Sequence, residues 1–237
     1  MPFPFVSAHA SAIVDQWARA GRRAVIFDFN GTLSDDEPLL AQIFQELFGT
    51  HLDWSMSVED YHRHFLGHSD REIIEKAIAL SGAEAEVAPL LTLRTRRYRE
   101  LVVDVNPIRS ATVELVRMLR RHGVDLAIVT GAQRDDVRAV LDSSPVAGSF
   151  PVIVAEEDVR RGKPDPEGFL AAAGLLGCDP RDVLVFEDSV PGVRAAAAAG
   201  MHCIAVSADP GADLSAIAPA VVARLDVEIV RSALERD

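Results

Sequence analysis

Cysteine is nearly absent: Cys178 and Cys203 are the only two in 237 residues, and neither sits in a metal-type spacing. That excludes a disulfide framework and points to buried thiols in a reducing compartment. Long apolar runs are missing too, and none approaches the length of a membrane span. The N-terminal stretch MPFPFVSAHASAIVDQWARAGRR has no early basic segment and no apolar signal core, and it carries Asp15. A cytoplasmic protein without a membrane partner is expected. Basic residues are outnumbered, 24 Lys and Arg against 36 Asp and Glu, for a formal net charge of −12. Phosphate backbones are held by clustered Lys and Arg, so nucleic acid is not an expected partner. A small anionic substrate stays open, because a metal and a few local cations can handle its charge.

What is present suits a folded α/β chain. Apolar residues make up 49% and charged residues 25%, enough for a sizeable core and too apolar for disorder. Ile13, Val14 and Trp17 recur at helical spacing, which predicts a short helix over about 11–20 that serves either the core or a dimer contact. The run from Ala24 to Phe27 is short, apolar and abruptly ended, as in a strand buried on both faces. From 37 to 105 only helical periodicities occur, near 37–48, 57–65, 70–80 and 85–102, with Ser69 and Glu72 spaced as a capping box. Helix and strand then alternate, with strands near 125–130, 151–155, 182–187, 202–206 and 219–223. Repeated αβ units imply a doubly wound parallel sheet with right-handed crossovers. The expected division is an α/β core over 1–36 and 106–237 with a helical domain inserted at 37–105.

Functional groups in such sheets gather beyond the carboxyl ends of the strands. Those ends carry Asp28, Thr130 with Gly131, and Glu187 with Asp188, while Lys163 lies in a loop leading to the helix before 182–187. Singly, each reads as a turn or cap residue: a lone Asp or Thr-Gly after a strand, a solvated Lys before Pro164, a carboxylate capping the helix at Pro191. Together, a hydroxyl, an ammonium and several carboxylates converge on one crevice. That set can hold a hard divalent cation and neutralise a phosphoryl group.

FDFNGTLSDDEP, IVTG, GKPDPEGF and VFEDSVPGVRAAAAAGM resemble the four ordered motifs of the haloacid dehalogenase-like hydrolases, over residues 24 to 222. The resemblance is to the branch holding phosphoglycolate phosphatase and β-phosphoglucomutase. It implies a Rossmann-like core with a helical cap after the first motif, and hydrolysis of a small phosphorylated metabolite with Mg2+. Residue by residue, it implies Asp28 as covalent nucleophile, Thr130 as donor to the transferring phosphoryl oxygen, and Lys163 as stabiliser of Asp28. Asp28, the Asn30 backbone carbonyl, Asp188 and Glu187, directly or through water, would be the metal ligands.

One position departs from the pattern. Family phosphatases carry an acid/base Asp two residues after the nucleophile, and this chain has Asn30 there. An amide cannot shuttle a proton near neutrality, and losing a general acid costs about 10²–10⁴-fold. A slow phosphatase, an acyl phosphate or phosphonate substrate, or a neighbouring proton carrier all fit. So would a non-catalytic phosphate-binding module. Asp35 and Asp36 are the nearest carboxylates, expected as a solvated turn and a helix cap. Phosphonatases use a cap lysine, but Lys76, the only lysine of the insert, is expected at the surface. β-Phosphoglucomutase carries a His soon after its first motif, and none occurs from Gly31 to Thr50, so mutase activity is disfavoured. In LGHSDREII, which resembles the loop reaching over the site, His68 and Arg71 are candidates for substrate contact, and Gly131 is a third. The basic run RTRRYRE over 94–100 is expected as a solvated helix face packed through Tyr98. Monomer and homodimer are both compatible with these features.

Overall fold

In the computed structural model, residues 7–102 and 105–236 are described. Residues 1–6 and 237 of the expected core, and 103–104 of the expected insert, lie outside them. The chain begins with α1 (Ala8–Trp17), three residues earlier than its apolar spacing suggests, because Ser7 accepts the Ala10 N–H and caps it. Its apolar face serves the core: Ala10, Val14 and Trp17 are buried, and the Trp17 indole donates to the Ala24 carbonyl at 3.0 Å.

β1 (Ala24–Phe27) follows, buried at every residue as its composition requires. Then come four helices, α2 (Glu37–His51), α3 (Val58–His64), α4 (Asp70–Ser81) and α5 (Val87–Val102). No strand interrupts them among the described residues. Both Ser57–Asp60 and Ser69–Glu72 form capping boxes, the latter with Glu72 accepting the Ser69 N–H at 2.8 Å. Phe44, Phe48, Tyr61 and Phe65 make the aromatic centre of this insert, and α5 packs on α2, α4 and the core helix α7 (Arg134–Leu141).

The remainder alternates: α6 (Ser110–Arg121), β2 (Asp125–Val129), α7, β3 (Val152–Val154), α8 (Glu167–Leu176), β4 (Val183–Glu187), α9 (Val190–Ala198) and β5 (His202–Val206). α10 (Gly211–Ile217), β6 (Val221–Val222) and α11 (Arg231–Leu234) complete it. α10 escapes the sequence reading because Leu214 is its one buried residue, too little to make a periodic face. The six strands are all parallel, in the order β3-β2-β1-β4-β5-β6.

Alternate residues of β1 feed opposite layers. Val25 and Phe27 join a cluster with α1, α6 and the insert, whereas Ala24 and Ile26 join α8 and α9 on the other face. Phe27 also stacks on Phe186 of β4, with centroids 5.4 Å apart. The strand order reverses between β1 and β4, and the crevice at such a switch point is where doubly wound sheets bind ligands. No helix among the described residues is long and apolar enough to cross a membrane.

Candidate active site

Asp28 is the first residue beyond β1. Its N–H donates to the Phe186 carbonyl at 2.9 Å, which extends the β1–β4 pairing one step and holds Asp28 beside the end of β4. There Glu187 and Asp188 emerge, and carboxylate oxygens of Asp28, Glu187 and Asp188 all lie within 4.8 Å of one another. Two glycines make room for them. A Cβ on Gly31, whose φ is +75°, would sit 2.1 Å from Asp188 Oδ2, and one on Gly192 would sit 1.9 Å from Glu187 Oε2.

One cation serves this cluster directly. The Lys163 ammonium donates to Asp28 and, at 3.0 Å, to Glu187, while resting 5.5 Å from the Phe169 ring centroid. Burial raises the Asp28 pKa to about 7, against the pull of Lys163 and with a further push from Glu187. Burial works to lower the Lys163 pKa, but Asp28 and Glu187 outweigh it and the value is raised. Asp188 is raised well above the carboxylate range, first by burial and then by Glu187 and Asp28. Three crowded carboxylates against one ammonium leave negative charge to be neutralised. The donors are all hard oxygens, so the set fits a hard divalent cation such as Mg2+.

Thr130 leaves β2 alongside, buried, with its Oγ1 accepting the Ala132 N–H at 3.0 Å. The hydroxyl proton remains available to a ligand. Gly131 lies under the insert: a Cβ there would be 3.3 Å from Ser69 Cα. Gly67, at φ +80°, lies closer still to Ser189, whose Cβ would be 2.6 Å from an added Cβ. The loop carrying His68 is thus laid directly over the strand ends.

Two cavities meet at Gly67, Thr130, Gly131 and Lys163. The smaller, about 50 Å3, is lined by Asp28, Asn30, Glu37, His68 and Asp188. The larger, about 600 Å3, takes Arg71, Gln133, Glu156, Arg160 and Arg161. His68 and Arg71 therefore face different chambers. Arg71 is largely exposed, 3.9 Å from Glu156, and His68 is 3.7 Å from Glu72.

Several expectations need correction. Asp36 is not a solvated cap: it is 1% exposed, makes no side-chain cap bond, and accepts from Tyr98 and, at 2.9 Å, from the Asn30 amide. Burial raises its pKa. Asp35, by contrast, is exposed as expected and accepts from Arg109 Nε at 2.8 Å. The basic run 94–100 is not wholly solvated, since Arg94 is buried and paired with Asp70 at 3.1 Å and with Asp136. Lys76 is half-buried, donating to the His64 carbonyl at 2.8 Å.

Glu37 is the site residue that sequence reasoning misses. Standing at the start of α2 just before Pro38, it looks like an ordinary first-turn acid. In three dimensions it lines the same cavity as Asp28 and accepts the Tyr61 hydroxyl at 2.9 Å. Burial, then the Asp36 carboxylate, push its pKa to about 8.

Known proteins resemble this chain in sequence and fold. The haloacid dehalogenase-like hydrolase family model matches residues 25–206. Protein CbbY of Rhodobacter capsulatus is 33% identical over 77% of this chain and 84% of its own. Validoxylamine A 7'-phosphate phosphatase of Streptomyces hygroscopicus subsp. limoneus is 30% identical over 88% of this chain and 96% of its own. The crystal structure of CbbY from Rhodobacter sphaeroides in complex with phosphate superposes with a TM-score of 0.78 at 26% identity, covering 90% of this chain and 99% of that one. The chain belongs to the haloacid dehalogenase-like hydrolases, in the branch of phosphoglycolate phosphatase and β-phosphoglucomutase, and is a phosphohydrolase.

Proposed function

We propose that the chain is a Mg2+-dependent phosphatase that cleaves a small phosphate monoester through a phospho-Asp28 intermediate. The observation that carries this reading is the meeting of Asp28, Glu187 and Asp188 within 4.8 Å, with Lys163 bridging the first two. Asp28, the Asn30 carbonyl, Asp188 and Glu187 would hold magnesium, which supplies charge neutralisation for the transferring phosphoryl group. Asp28 attacks phosphorus, splitting one hard displacement into two easier ones. Lys163 keeps the attacking carboxylate oriented and offsets charge on the phosphoryl oxygens, and the Thr130 hydroxyl and Gly131 N–H donate to those oxygens. The helices between 37 and 105 act as a cap. Residues 67–69 close the chamber above the phosphoryl group and exclude water from the first transfer.

The larger chamber suggests the substrate class. Its arginines, Arg71, Arg160 and Arg161, are matched by Glu72, Glu156, Glu157 and Asp165 on the same walls, with Arg161 bonded to Asp165 at 3.1 Å. Mixed charge of that kind suits a hydroxylated, uncharged body carrying one phosphate better than a second phosphate. The relative named for validoxylamine A 7'-phosphate carries a single phosphate in the substrate of its name. A phosphonatase route through Lys76 is disfavoured, because that lysine lines neither chamber. In this reading the protein acts in the cytoplasm on a small molecule, as a monomer or a homodimer, with no nucleic acid or membrane partner.

The test is phosphate release with and without Mg2+ from phosphorylated sugars and polyols, acyl phosphates and phosphonates. Turnover of the sugar or polyol esters that disappears in Asp28→Asn supports the reading. Phosphate binding without release from any of them would make the chain a binding module instead.

A further inference from the structure

We propose that Glu37 is the general acid and base of this enzyme, standing in for the carboxylate that Asn30 replaces. The inference rests on the phosphatase reading above. A proton carrier must reach the leaving oxygen, so it must line the nucleophile's chamber. Asp35 does not: it is exposed and held by Arg109. Asp36 does not either: it is sealed behind Asn30 and Tyr98 and lines neither chamber.

Five carboxylates do line the smaller chamber, namely Asp28, Glu37, Asp70, Glu187 and Asp188. Asp28 and Glu187 are bound to Lys163, and Asp70 to Arg94 at 3.1 Å. Asp188 completes the oxygen cluster at the strand ends. Glu37 remains. Its partner is a neutral donor, the Tyr61 hydroxyl, which fixes one carboxyl oxygen and leaves the other for the reaction. Tyr61 itself stays a protonated donor, its pKa raised well above the phenol value by burial. Asn30 lines the same chamber from below and has its amide nitrogen committed to Asp36.

The proton balance closes over the two half-reactions. As an Asp28 oxygen bonds to phosphorus and the ester P–O bond breaks, the Glu37 O–H proton passes to the departing oxygen and an alcohol leaves. The Glu37 carboxylate then takes a proton from the water whose oxygen attacks phosphorus. The bond between phosphorus and Asp28 breaks, giving inorganic phosphate, free Asp28 and protonated Glu37.

Glu37→Gln, checked for a thermal midpoint with magnesium no lower than that of the unmodified protein, should be assayed on glycerol phosphate and on 4-nitrophenyl phosphate. The alkoxide needs a proton to leave and the nitrophenolate does not. Glycerol phosphate turnover should fall about 10²–10⁴-fold, chiefly in kcat. 4-Nitrophenyl phosphate should still give a fast burst of about one nitrophenolate per enzyme, followed by slow steady turnover. Glu37→Asp, which keeps an acid, should recover part of the glycerol phosphate rate and covers the case of a poorly folded amide variant. Equal slowing of both esters without a burst, or a raised magnesium requirement, would overturn the assignment in favour of a positioning role. So would unchanged rates. If the unmodified protein hydrolyses neither ester nor any phosphorylated sugar, the phosphatase reading itself fails and this one goes with it.

Discussion

Arg94 of α5 and Asp136 of α7 are ion-paired with both side chains 1% exposed, and the same guanidinium reaches Asp70 of α4 at 3.1 Å. One buried cation therefore ties two helices of the insert to the core. Removing the cation of such a set costs far more than the set contributes, because Asp70 stays buried without its partner and Asp136 keeps only Arg99, at 3.4 Å. Arg94→Met is expected to lose about 3–5 kcal/mol. At roughly 2–4 °C per kcal/mol for a chain this long, the thermal midpoint should drop by about 6–20 °C. Changing Asp70, Arg94 and Asp136 together to apolar residues of similar volume should recover most of that. A single variant within 1 °C of the unmodified protein would show that the pair is not closed in solution.

The Asn30 amide donates to buried Asp36 at 2.9 Å, so Asn30→Asp would set a second carboxylate against the first. Two carboxylates at that distance cannot both ionise, and the pair must retain a proton that an unfolded chain releases near pH 3.9. The folded state then binds more protons than the unfolded one, so stability is lost as pH rises above that value. The urea midpoint of the variant should match the unmodified protein near pH 4 and fall below it by pH 8. A constant gap across that range would mean that Asp36 turns away from its new neighbour.

Gly31 is the glycine of the carboxylate cluster that combines close approach with a positive φ, since a Cβ there would lie 2.1 Å from Asp188 Oδ2 at φ +75°. Gly31→Ala should lower phosphate release at least about tenfold and raise the magnesium concentration for half-activity, given an αL strain of about 1–2 kcal/mol plus displaced carboxylate. Gly174→Ala is the contrast. It lies within α8 with nothing inside 4 Å, and should add about 0.5–1 kcal/mol of stability. Equal effects of the two on activity would count against the cluster.

Glu37 also has a stability signature in metal-free protein. Its pKa is raised from 4.5 to about 8, first by burial and then by Asp36, with Asp28 and Asp70 adding and the Tyr61 hydrogen bond opposing. A carboxyl whose folded value lies above its unfolded one binds its proton more tightly when folded. Its favourable contribution is whole below about 4.5 and is lost as pH climbs towards 8. Glu37→Gln removes that loss, so at pH 8 the variant should unfold above the unmodified protein by at least about 1 kcal/mol, or roughly 2–4 °C. Near pH 4 the two should agree.

Strand-terminal chemistry was legible without coordinates because a parallel sheet puts the residue after each strand at one edge. Asp28, Thr130, Glu187 and Asp188 need only correct strand ends to be brought together, and β1, β2 and β4 end within one residue of where their apolar runs stop. Lys163 was legible through its motif, not through any periodicity. Arg94, Asp36 and Glu37 were not legible, for a shared reason. Each lies where a surface residue is ordinary, in a basic helical run or at a helix start, and becomes special only through a partner far along the chain. The Arg94–Asp136 and Asp36–Tyr98 contacts span 42 and 62 residues. Local pattern carries no trace of such pairs.

The seam above Asp28 is built from Gly67 and Ser69 on one side and Gly131 and Ser189 on the other, all small. Little side-chain interlock opposes parting there, whereas the opposite margin of the insert is riveted by Arg94. Opening should therefore be lopsided, with the mouth lifting while α5 stays seated on α7. Amide exchange faster at 66–69 than along α5 would register that asymmetry, and a uniform rate would deny it. An entrance that yields on one margin only admits a phosphate head first and leaves the rest of the molecule to be judged by the wider chamber.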